Sequence, residues 1–261
     1  MIDGRDTFDP QSQPPGACDS LLWIRCRAAK DAVRAADLLL RDGNLPLLLI
    51  DLEHGSGSLA DLRNMLLACR ESKAAPIVRI PSVDPDTVKF AMDSGAAGVM
   101  FPYVSTVEEA QTAVRCMKYP PQGTRGVAGA IRATNFGRHW ETYFAEANSQ
   151  SLVIVQIETP EAVEAAEQIA AVDGVDVLFV GPLDLSVNLG HPGDFSPPEF
   201  QAALQHVVAA CKHNQKSAGI LSKPGFVRQH LEFGFQLFAL GSDSTSVVAG
   251  LQQSLREIKE N

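Results

Sequence analysis

Short apolar segments alternate along the chain with segments whose apolar residues are spaced three and four apart. The apolar segments number eight, and most are apolar on both faces, which is typical of parallel strands covered by helices. They cover residues 21–24, 47–51, 76–80, 98–101, 152–158, 177–180, 218–221 and 237–240. Alternation of strand and helix through eight units predicts an α/β fold of the (β/α)8 TIM-barrel type.

The intervening helical segments support the closed barrel over an open sheet. They are predicted at residues 29–42, 59–69, 84–94, 106–117, 160–171, 198–214, 225–233 and 244–259. An open dinucleotide-binding sheet would carry a glycine-rich phosphate turn after its first strand. Here the first strand is followed by Arg25-Cys26-Arg27, so no such turn is present.

Two stretches depart from the alternation. Residues 1–19 contain several prolines and are predicted to form a flexible lead-in, which leaves 20–261 as a single barrel domain. The connection at 118–150 is much longer than a typical αβ loop, and connections of that length are usually functional or contain structure of their own. We interpret it as a lid or an interface segment with a short helix near 140–147.

Composition argues against several classes of protein. The 22 Lys and Arg against 31 Asp and Glu give a formal net charge of −9, with no basic run, which disfavours a nucleic-acid partner. The five cysteines are scattered and form no CxxC pair, as is usual in a reducing compartment. The N-terminus lacks the order of a signal peptide, and the longest apolar stretch is too short to span a bilayer. We therefore expect a cytoplasmic protein with no membrane partner.

Polar residues follow four of the strands, at the end where a barrel of this type carries its active site. The segments are Asp-Leu-Glu-His-Gly at 51–55, Val-Arg-Ile-Pro at 78–81, Gln-Ile-Glu-Thr-Pro at 156–160 and Gly-Pro-Leu-Asp-Leu-Ser at 181–186. Four strand ends therefore bring an acid–histidine pair, an arginine and two separate carboxylates to one rim.

The two separate carboxylates indicate a metal site. Glu158 and Asp184 come from adjacent strands, which lie about 5 Å apart in a sheet. Carboxylates at that distance repel unless a cation lies between them or one is protonated. Ligation by oxygen alone suits Mg²⁺ or Mn²⁺, which keep positions open for water and substrate. The alternative, that one or both acids cap the following helices, is less favoured.

Arg79 and His54 each have a functional and a structural interpretation. The guanidinium of Arg79 keeps its charge and could stabilise an oxyanion or form a salt bridge with a barrel acid. His54 follows Asp51 by three residues, and an aspartate that orients an imidazole sets its basicity. A histidine in a loop is often only solvated, and its neighbour Glu53 could instead be the ligand or the base.

Two further segments have competing interpretations. Backbone N–H groups of the strand-to-helix turn at 181–184 suit a substrate carboxylate. Lys223 follows the strand at 218–221 and could form a Schiff base with a keto substrate, which would mean a metal-free aldolase. A solvated lysine beside Pro224-Gly225 is the simpler explanation.

Six motifs resemble those of the HpcH/HpaI class II pyruvate aldolases. This family includes 4-hydroxy-2-oxoheptanedioate, 2-dehydro-3-deoxyglucarate and 2-keto-3-deoxy-L-rhamnonate aldolases and macrophomate synthase. The motifs are IDLEHG at 50–55, VRIP at 78–81, GAAGVMFP at 95–102, YPPQGTRG at 119–126, QIET at 156–159 and GVDVLFVGPLDLS at 174–186. The resemblance extends from about residue 47 to the C-terminus.

The resemblance implies an enzyme that cleaves or forms 4-hydroxy-2-oxo acids, with pyruvate as product or donor and an aldehyde as the second partner. It implies Glu158 and Asp184 as ligands of Mg²⁺, Mn²⁺ or Co²⁺, and Arg79 as the contact to the keto oxygen. By the same resemblance, His54 with Asp51 would move protons through a metal-bound water.

The resemblance also implies a pyruvate-binding shell and an assembly. Gln156 and the backbone from Gly181 to the following aspartate would bind pyruvate. Family members are homo-oligomers, commonly hexamers, with active sites near subunit contacts. We therefore expect a homo-oligomer.

The chain departs from the family pattern at three places. Leu183 replaces a usually small residue and would narrow the substrate site. The segment before residue 47 matches poorly, so Trp23 corresponds to a pocket-lining tryptophan only as a hypothesis. His54-Gly55 is closer to macrophomate synthase than to the bacterial sugar-acid enzymes. The alternatives are oxaloacetate decarboxylation or a macrophomate-synthase-like reaction, the Lys223 aldolase, and a non-catalytic barrel that binds a keto acid.

Overall fold

The computed structural model describes residues 20–24, 47–55 and 57–259, and these form an α/β fold. Seven strands in chain order make one curled parallel sheet. They are β2 (Leu47–Asp51), β3 (Ala75–Arg79), β4 (Gly98–Phe101), β5 (Leu152–Ile157), β6 (Val177–Val180), β7 (Ser217–Ser222) and β8 (Leu237–Leu240). An earlier strand, β1 (Ser20–Ile24), is paired in parallel with β2 and with β8. The predicted α/β class and its parallel sheet are confirmed.

Helices connect the strands. They are α1 (Leu59–Ala68), α2 (Pro85–Asp93), α3 (Val107–Met117), α4 (Trp140–Gln150), α5 (Pro160–Glu164), α6 (Ala166–Ala170), α7 (Pro182–Asn188), α8 (Pro198–His213), α9 (Val227–Phe233) and α10 (Asp243–Lys259). The larger apolar cluster lies between the sheet and these helices, except for α4, which belongs to the connection before β5. The helix predicted at 160–171 is divided at Ala165, where ψ is 0°. The predicted lead-in at 1–19 and the predicted helix at 29–42 lie outside the described residues.

Local sequence fixes where the first helices begin. Ser58 with Asp61 and Thr106 with Glu109 form capping boxes at α1 and α3. Asp84 caps α2 through its carboxylate. These side chains satisfy N–H groups that the first turn of a helix leaves unpaired. Each helix therefore begins just after its strand-end segment, which leaves the strand ends uncovered.

The sheet is apolar on both faces, as the sequence pattern predicts. The larger cluster lies between the sheet and the helices. The smaller cluster consists of strand residues that alternate with those of the larger one, and it contains Leu49, Ile77, Met100, Ile154, Val177, Phe179, Leu237 and Ala239. Because both faces of the sheet are buried, the polar side chains of these strands lie at the strand ends.

The long connection between α3 and β5 lies at the end of the sheet opposite to the predicted active site, because it leads from a helix to the start of a strand. Its contacts agree with this position. Arg125 binds the carboxylate of Asp93 at the end of α2 over 2.7 Å, and Arg132 donates to the carbonyl oxygen of Leu66 in α1 over 2.7 Å. The predicted lid over the chain's own active site is therefore wrong. The predicted short helix is present as α4, and an interface role stays a prediction.

The cysteines and the helices are each known here for the described residues only. Cys69, Cys116 and Cys211 are buried free thiols, whereas the other two cysteines lie outside the described residues. Among the helices that the structure describes, none has the length and apolar character needed to cross a bilayer.

A buried histidine supports the end of β7. The hydroxyl of Ser222 lies 2.9 Å from Nδ1 of His230 in α9. The imidazole packs against the rings of Phe226 and Phe235. Burial lowers the pKa of His230 to about 4 from an ordinary value of 6.5. The folded protein therefore keeps this imidazole neutral over a pH range in which the unfolded chain protonates it.

We predict that acidification from pH 6.5 towards 4 destabilises the protein through His230. The unfolded state gains a proton that the folded state does not bind, so this group's stabilising effect is present above pH 6.5 and is lost as pH falls. The loss amounts to at most ~3 kcal/mol, at about 1.4 kcal/mol for each pKa unit. Urea unfolding at several pH values should show a flatter curve for His230→Asn, whereas the exposed-site control His206→Asn should follow the wild type. An unchanged slope in His230→Asn would contradict the prediction.

Candidate active site

The carboxyl ends of β2 and β3 are joined by a buried ion pair. Asp51 and Arg79 are direct neighbours in the sheet register and are the last residues of their strands. Arg79 donates from Nε to Oδ1 of Asp51 over 2.9 Å and from Nη2 to Oδ2 over 2.7 Å. Its Nη1 lies 2.7 Å from Oε2 of Glu53. The structural interpretation of Arg79, a salt bridge to a barrel acid, is therefore observed, and it fixes the orientation of the guanidinium.

His54 lies beside this ion pair with a half-exposed side chain. Its Nε2 is 3.9 Å from Oε2 of Glu53. Oδ1 of Asp51 accepts the backbone N–H of Glu53 at 3.0 Å and that of His54 at 3.3 Å. Between these described residues, Asp51 therefore contacts the backbone of His54 and not its imidazole. The predicted dyad is not formed in this arrangement, and proton transfer by His54 stays a prediction.

Glu158 follows β5 and is only 2% exposed. Its Oε1 accepts from Nε2 of Gln156 at 2.8 Å, and its Oε2 accepts the backbone N–H of Tyr103 at 3.1 Å. Gly181 leaves the space for this carboxylate, because a Cβ at that position would collide with Oε1 of Glu158. Burial raises the pKa of Glu158 to about 8, and the negative charges of Asp184 and Glu53 act in the same direction.

Asp184 lies in the first turn of α7 and is half-buried. Its Oδ1 accepts a hydrogen bond of 3.0 Å from the phenol of Tyr103. Tyr103 follows β4 and contacts both predicted ligands, Asp184 through its phenol and Glu158 through its backbone N–H. Partial burial, together with the hydrogen bond and charge of Asp184, raises the pKa of Tyr103 to about 12.

The sequence prediction missed Tyr103. The available signal was a tyrosine two residues after β4, directly after the Phe-Pro pair that ends the third motif, at 95–102. That position belongs to the same rim as the other strand-end residues.

A family comparison agrees with this geometry. The model of the HpcH/HpaI aldolase/citrate lyase family matches residues 44–249. This chain belongs to that family. The match includes the candidate residues from Asp51 to Asp184 and agrees with the predicted start of the resemblance near residue 47.

Two relatives and one solved structure show how close the similarity is. The 5-keto-4-deoxy-D-glucarate aldolase of Salmonella paratyphi C is 41% identical over 207 residues, or 79% of this chain and 80% of that protein. The hydroxypyruvate/pyruvate aldolase of Paraburkholderia phytofirmans is 39% identical over 92% of this chain and 94% of that one. The crystal structure of an HpcH/HpaI family protein from Burkholderia cenocepacia has a TM-score of 0.85 and 37% identity, covering 92% of this chain and 94% of that chain. The predicted family and the predicted class of enzyme, an aldolase, are confirmed.

The similarity to macrophomate synthase is more distant. That structure has a TM-score of 0.76 and 26% identity, covering 92% of this chain and 85% of that chain. The match of His54-Gly55 to the macrophomate synthase branch therefore does not extend to the chain as a whole.

The other predicted HpcH/HpaI site residues have different surroundings. Gln156 is buried beside Glu158, and its Oε1 has no hydrogen-bond partner among the described residues. Leu183 is 56% exposed in the first turn of α7. Trp23 is in β1, and its pocket-lining role stays a prediction. Lys223 is exposed, with Nζ 4.8 Å from the centroid of the Phe195 ring, as expected for a surface lysine.

The donor set fits a hard divalent cation. Glu158 and Asp184 supply carboxylate oxygens, which Mg²⁺ and Mn²⁺ prefer. Burial raises the pKa of the Glu158 carboxyl, and a cation held beside it would favour the charged carboxylate. Within the described part of the chain, no group of three or more acid, histidine or cysteine side chains could hold an ion.

We predict that Glu158→Gln stabilises the ion-free protein at pH 8 and abolishes the stabilisation by Mn²⁺. A carboxyl with a raised pKa stabilises the fold below pH 4.5 and loses that effect as pH rises to about 8. The neutral amide avoids this loss, so we expect a gain of ~1–3 kcal/mol at pH 8 and no gain at pH 4.5. Urea unfolding in EDTA measures the first effect, and the Mn²⁺-induced rise in Tm measures the second.

Glu161 is exposed, and Glu161→Gln is the matched control. It should have the wild-type stability in EDTA and the wild-type rise in Tm with Mn²⁺. A Glu158→Gln protein whose Tm still rises with Mn²⁺ would remove Glu158 from the ligand set.

Proposed function

We propose that this chain is a divalent-metal-dependent aldolase that cleaves or forms 4-hydroxy-2-oxo acids, with pyruvate as product or donor. The observation that carries the proposal is the buried Glu158 next to Asp184 at the strand ends, with Arg79 on the same rim. The names of the relatives, a 5-keto-4-deoxy-D-glucarate aldolase and a hydroxypyruvate/pyruvate aldolase, support this substrate class.

Glu158 and Asp184 would hold Mg²⁺, Mn²⁺ or Co²⁺. Such an ion supplies Lewis-acid chemistry at a carbonyl oxygen when it is bound. Gln156 fixes one oxygen of Glu158 and has a second amide atom, Oε1, available for a polar partner. Gln156 and Gly181 are proposed to bind the pyruvate part of the substrate, and Leu183 is proposed to limit the space beside it.

We propose that Arg79 stabilises negative charge and that His54 transfers protons. Removal of the C4 hydroxyl proton allows the C3–C4 bond to break, with its electron pair passing into an enolate of pyruvate and the aldehyde leaving. We propose that Arg79, held by its hydrogen bonds to Asp51, stabilises the negative charge on that enolate oxygen. We propose that His54, whose side chain is half-exposed, exchanges a proton between substrate and solvent. Protonation of the enolate at C3 then gives pyruvate.

We also propose that residues 20–261 form one complete (β/α)8 barrel. The pairing of β1 with both edges of the seven-strand sheet supports this. A homo-oligomeric assembly and a cytoplasmic location stay predictions from the sequence.

A pyruvate-release assay tests the proposed activity. Purified protein is treated with EDTA and supplied with several 4-hydroxy-2-oxo acids, with and without added Mn²⁺. We expect turnover only with the ion, because Glu158 and Asp184 cannot bind a keto acid unaided. Turnover that persists in EDTA, together with borohydride trapping of pyruvate on Lys223, would replace this mechanism by the Schiff-base alternative.

Oxaloacetate in the same assay tests a second activity. Decarboxylation of a 2-oxo acid would give the same pyruvate enolate at the same residues, and the likeness to macrophomate synthase favours its inclusion. Pyruvate release from oxaloacetate alone, with none of the 4-hydroxy-2-oxo acids cleaved, would make decarboxylation the main activity.

We predict that Arg79→Lys lowers kcat/KM by about 10²–10³ while the protein stays folded, because lysine keeps the charge but loses the bidentate geometry. Arg79→Ala should in addition lower the free energy of unfolding by ~3–5 kcal/mol, since it removes the buried partner of Asp51. Pyruvate release and urea unfolding measure the two effects. Arg228→Ala, on an exposed face of α9, is the control and should change neither. Wild-type turnover in Arg79→Lys would refute the role given to Arg79.

A further inference from the structure

Tyr103 joins the two carboxylates of the candidate site. Its backbone N–H donates to Oε2 of Glu158 over 3.1 Å, and its phenol donates to Oδ1 of Asp184 over 3.0 Å. We propose that Tyr103 is a positioning residue that holds both carboxylates in the arrangement that binds the divalent ion. This inference rests on the proposed function and adds to it a residue outside the ligand pair.

The backbone contact requires an unusual conformation. Tyr103 has φ of 50°, in the left-handed region, which costs about 1–2 kcal/mol for a residue with a Cβ. Pro102 and Val104 on either side are buried, and the N–H of Val104 donates to the carbonyl oxygen of Gln156 over 3.2 Å. The turn is therefore anchored on β5, and its N–H is directed at Glu158. Strain that is maintained by its surroundings in this way is typical of functional sites.

The side-chain contact restricts the second carboxylate. Tyr103 is 47% exposed, so it contributes little to the core, but its hydroxyl donates to Asp184. Asp184 is half-buried at the beginning of a seven-residue helix. A hydrogen bond to one of its oxygens limits the rotamers of a side chain that would otherwise be free to turn to solvent. Because partners of metal ligands orient them, their loss typically lowers metal affinity by about 10–100-fold.

The test is a titration of Mn²⁺ into the ion-free full-length protein, with free Mn²⁺ measured by electron paramagnetic resonance. Tyr103→Phe removes only the hydroxyl and keeps the ring and the backbone contact. We expect its Kd for Mn²⁺ to rise by about 10–100-fold, while its Tm in EDTA stays at the wild-type value. At saturating Mn²⁺ its turnover should approach that of the wild type, because a positioning residue acts through ion binding.

The matched control is Tyr119→Phe, which removes a buried hydroxyl that has no hydrogen-bond partner among the described residues. Tyr119 lies in the long connection at the opposite end of the sheet, so this variant should bind Mn²⁺ like the wild type. An equal loss of affinity in both variants would show a general effect of losing a phenol and would overturn the role of Tyr103.

The remaining outcomes separate this inference from the proposed function. If the wild type binds Mn²⁺ and Tyr103→Phe binds it equally well or more tightly, the positioning role is wrong and the proposed aldolase stands. If turnover of Tyr103→Phe stays low at saturating Mn²⁺, Tyr103 acts on the substrate and the positioning role is again wrong. If the wild type binds no divalent ion, both the proposed function and this role are wrong.

Discussion

Burial of the Glu158 carboxylate at the end of the sheet, with the like charge of Asp184 nearby, is the constraint around which the candidate site is arranged. Glu158 is buried, and Asp184 and Glu53 act on it with the same sign of charge. A buried carboxylate is tolerated only when it takes a proton, gains hydrogen bonds or meets a cation. Gln156 and Tyr103 provide hydrogen bonds, and the raised pKa shows that these do not fully compensate for burial.

The balance of charge at the rim follows from this constraint. Among the rim residues that the structure describes, the carboxylates of Asp51, Glu53, Glu158 and Asp184 accompany the guanidinium of Arg79, which is already paired with two of them. The remaining negative charge favours a dication, which would in turn attract an anionic oxo acid. The ion pair of Asp51 with Arg79 and the proposed ion site of Glu158 with Asp184 are thus two parts of one electrostatic arrangement.

Several features of this rim are expected to lower the free energy of unfolding, and all of them lie at the candidate site. Tyr103 has a left-handed backbone, Glu158 is buried as an acid, and Gly181 leaves space where any side chain would collide. Strained or poorly compensated groups are expected to concentrate where function requires them. The opposite end of the sheet contains the long connection, whose arginines instead bind the ends of α1 and α2.

The sequence by itself determined the alternation of elements and the residues that reach the rim. The strands predicted at 47–51, 98–101, 177–180 and 237–240 have the observed bounds, because an apolar run that is buried on both faces has few alternatives to a central parallel strand. Asp51, Arg79, Glu158 and Asp184 were assigned to one rim because the ends of parallel strands meet at one edge.

Only the tertiary structure decided which of these side chains meet. Asp51 could pair with the imidazole of His54 or with Arg79, and the register of β2 and β3 made Arg79 its neighbour. Tyr103 was not predicted, because its φ and its two contacts arise from the anchoring of its turn on β5. The lid prediction failed because it was argued from length alone, whereas a connection from a helix to the start of a strand lies at the end of the sheet opposite to the predicted active site. Side-chain partners depend on separations of a few ångströms, which the spacing of residues along a chain does not determine.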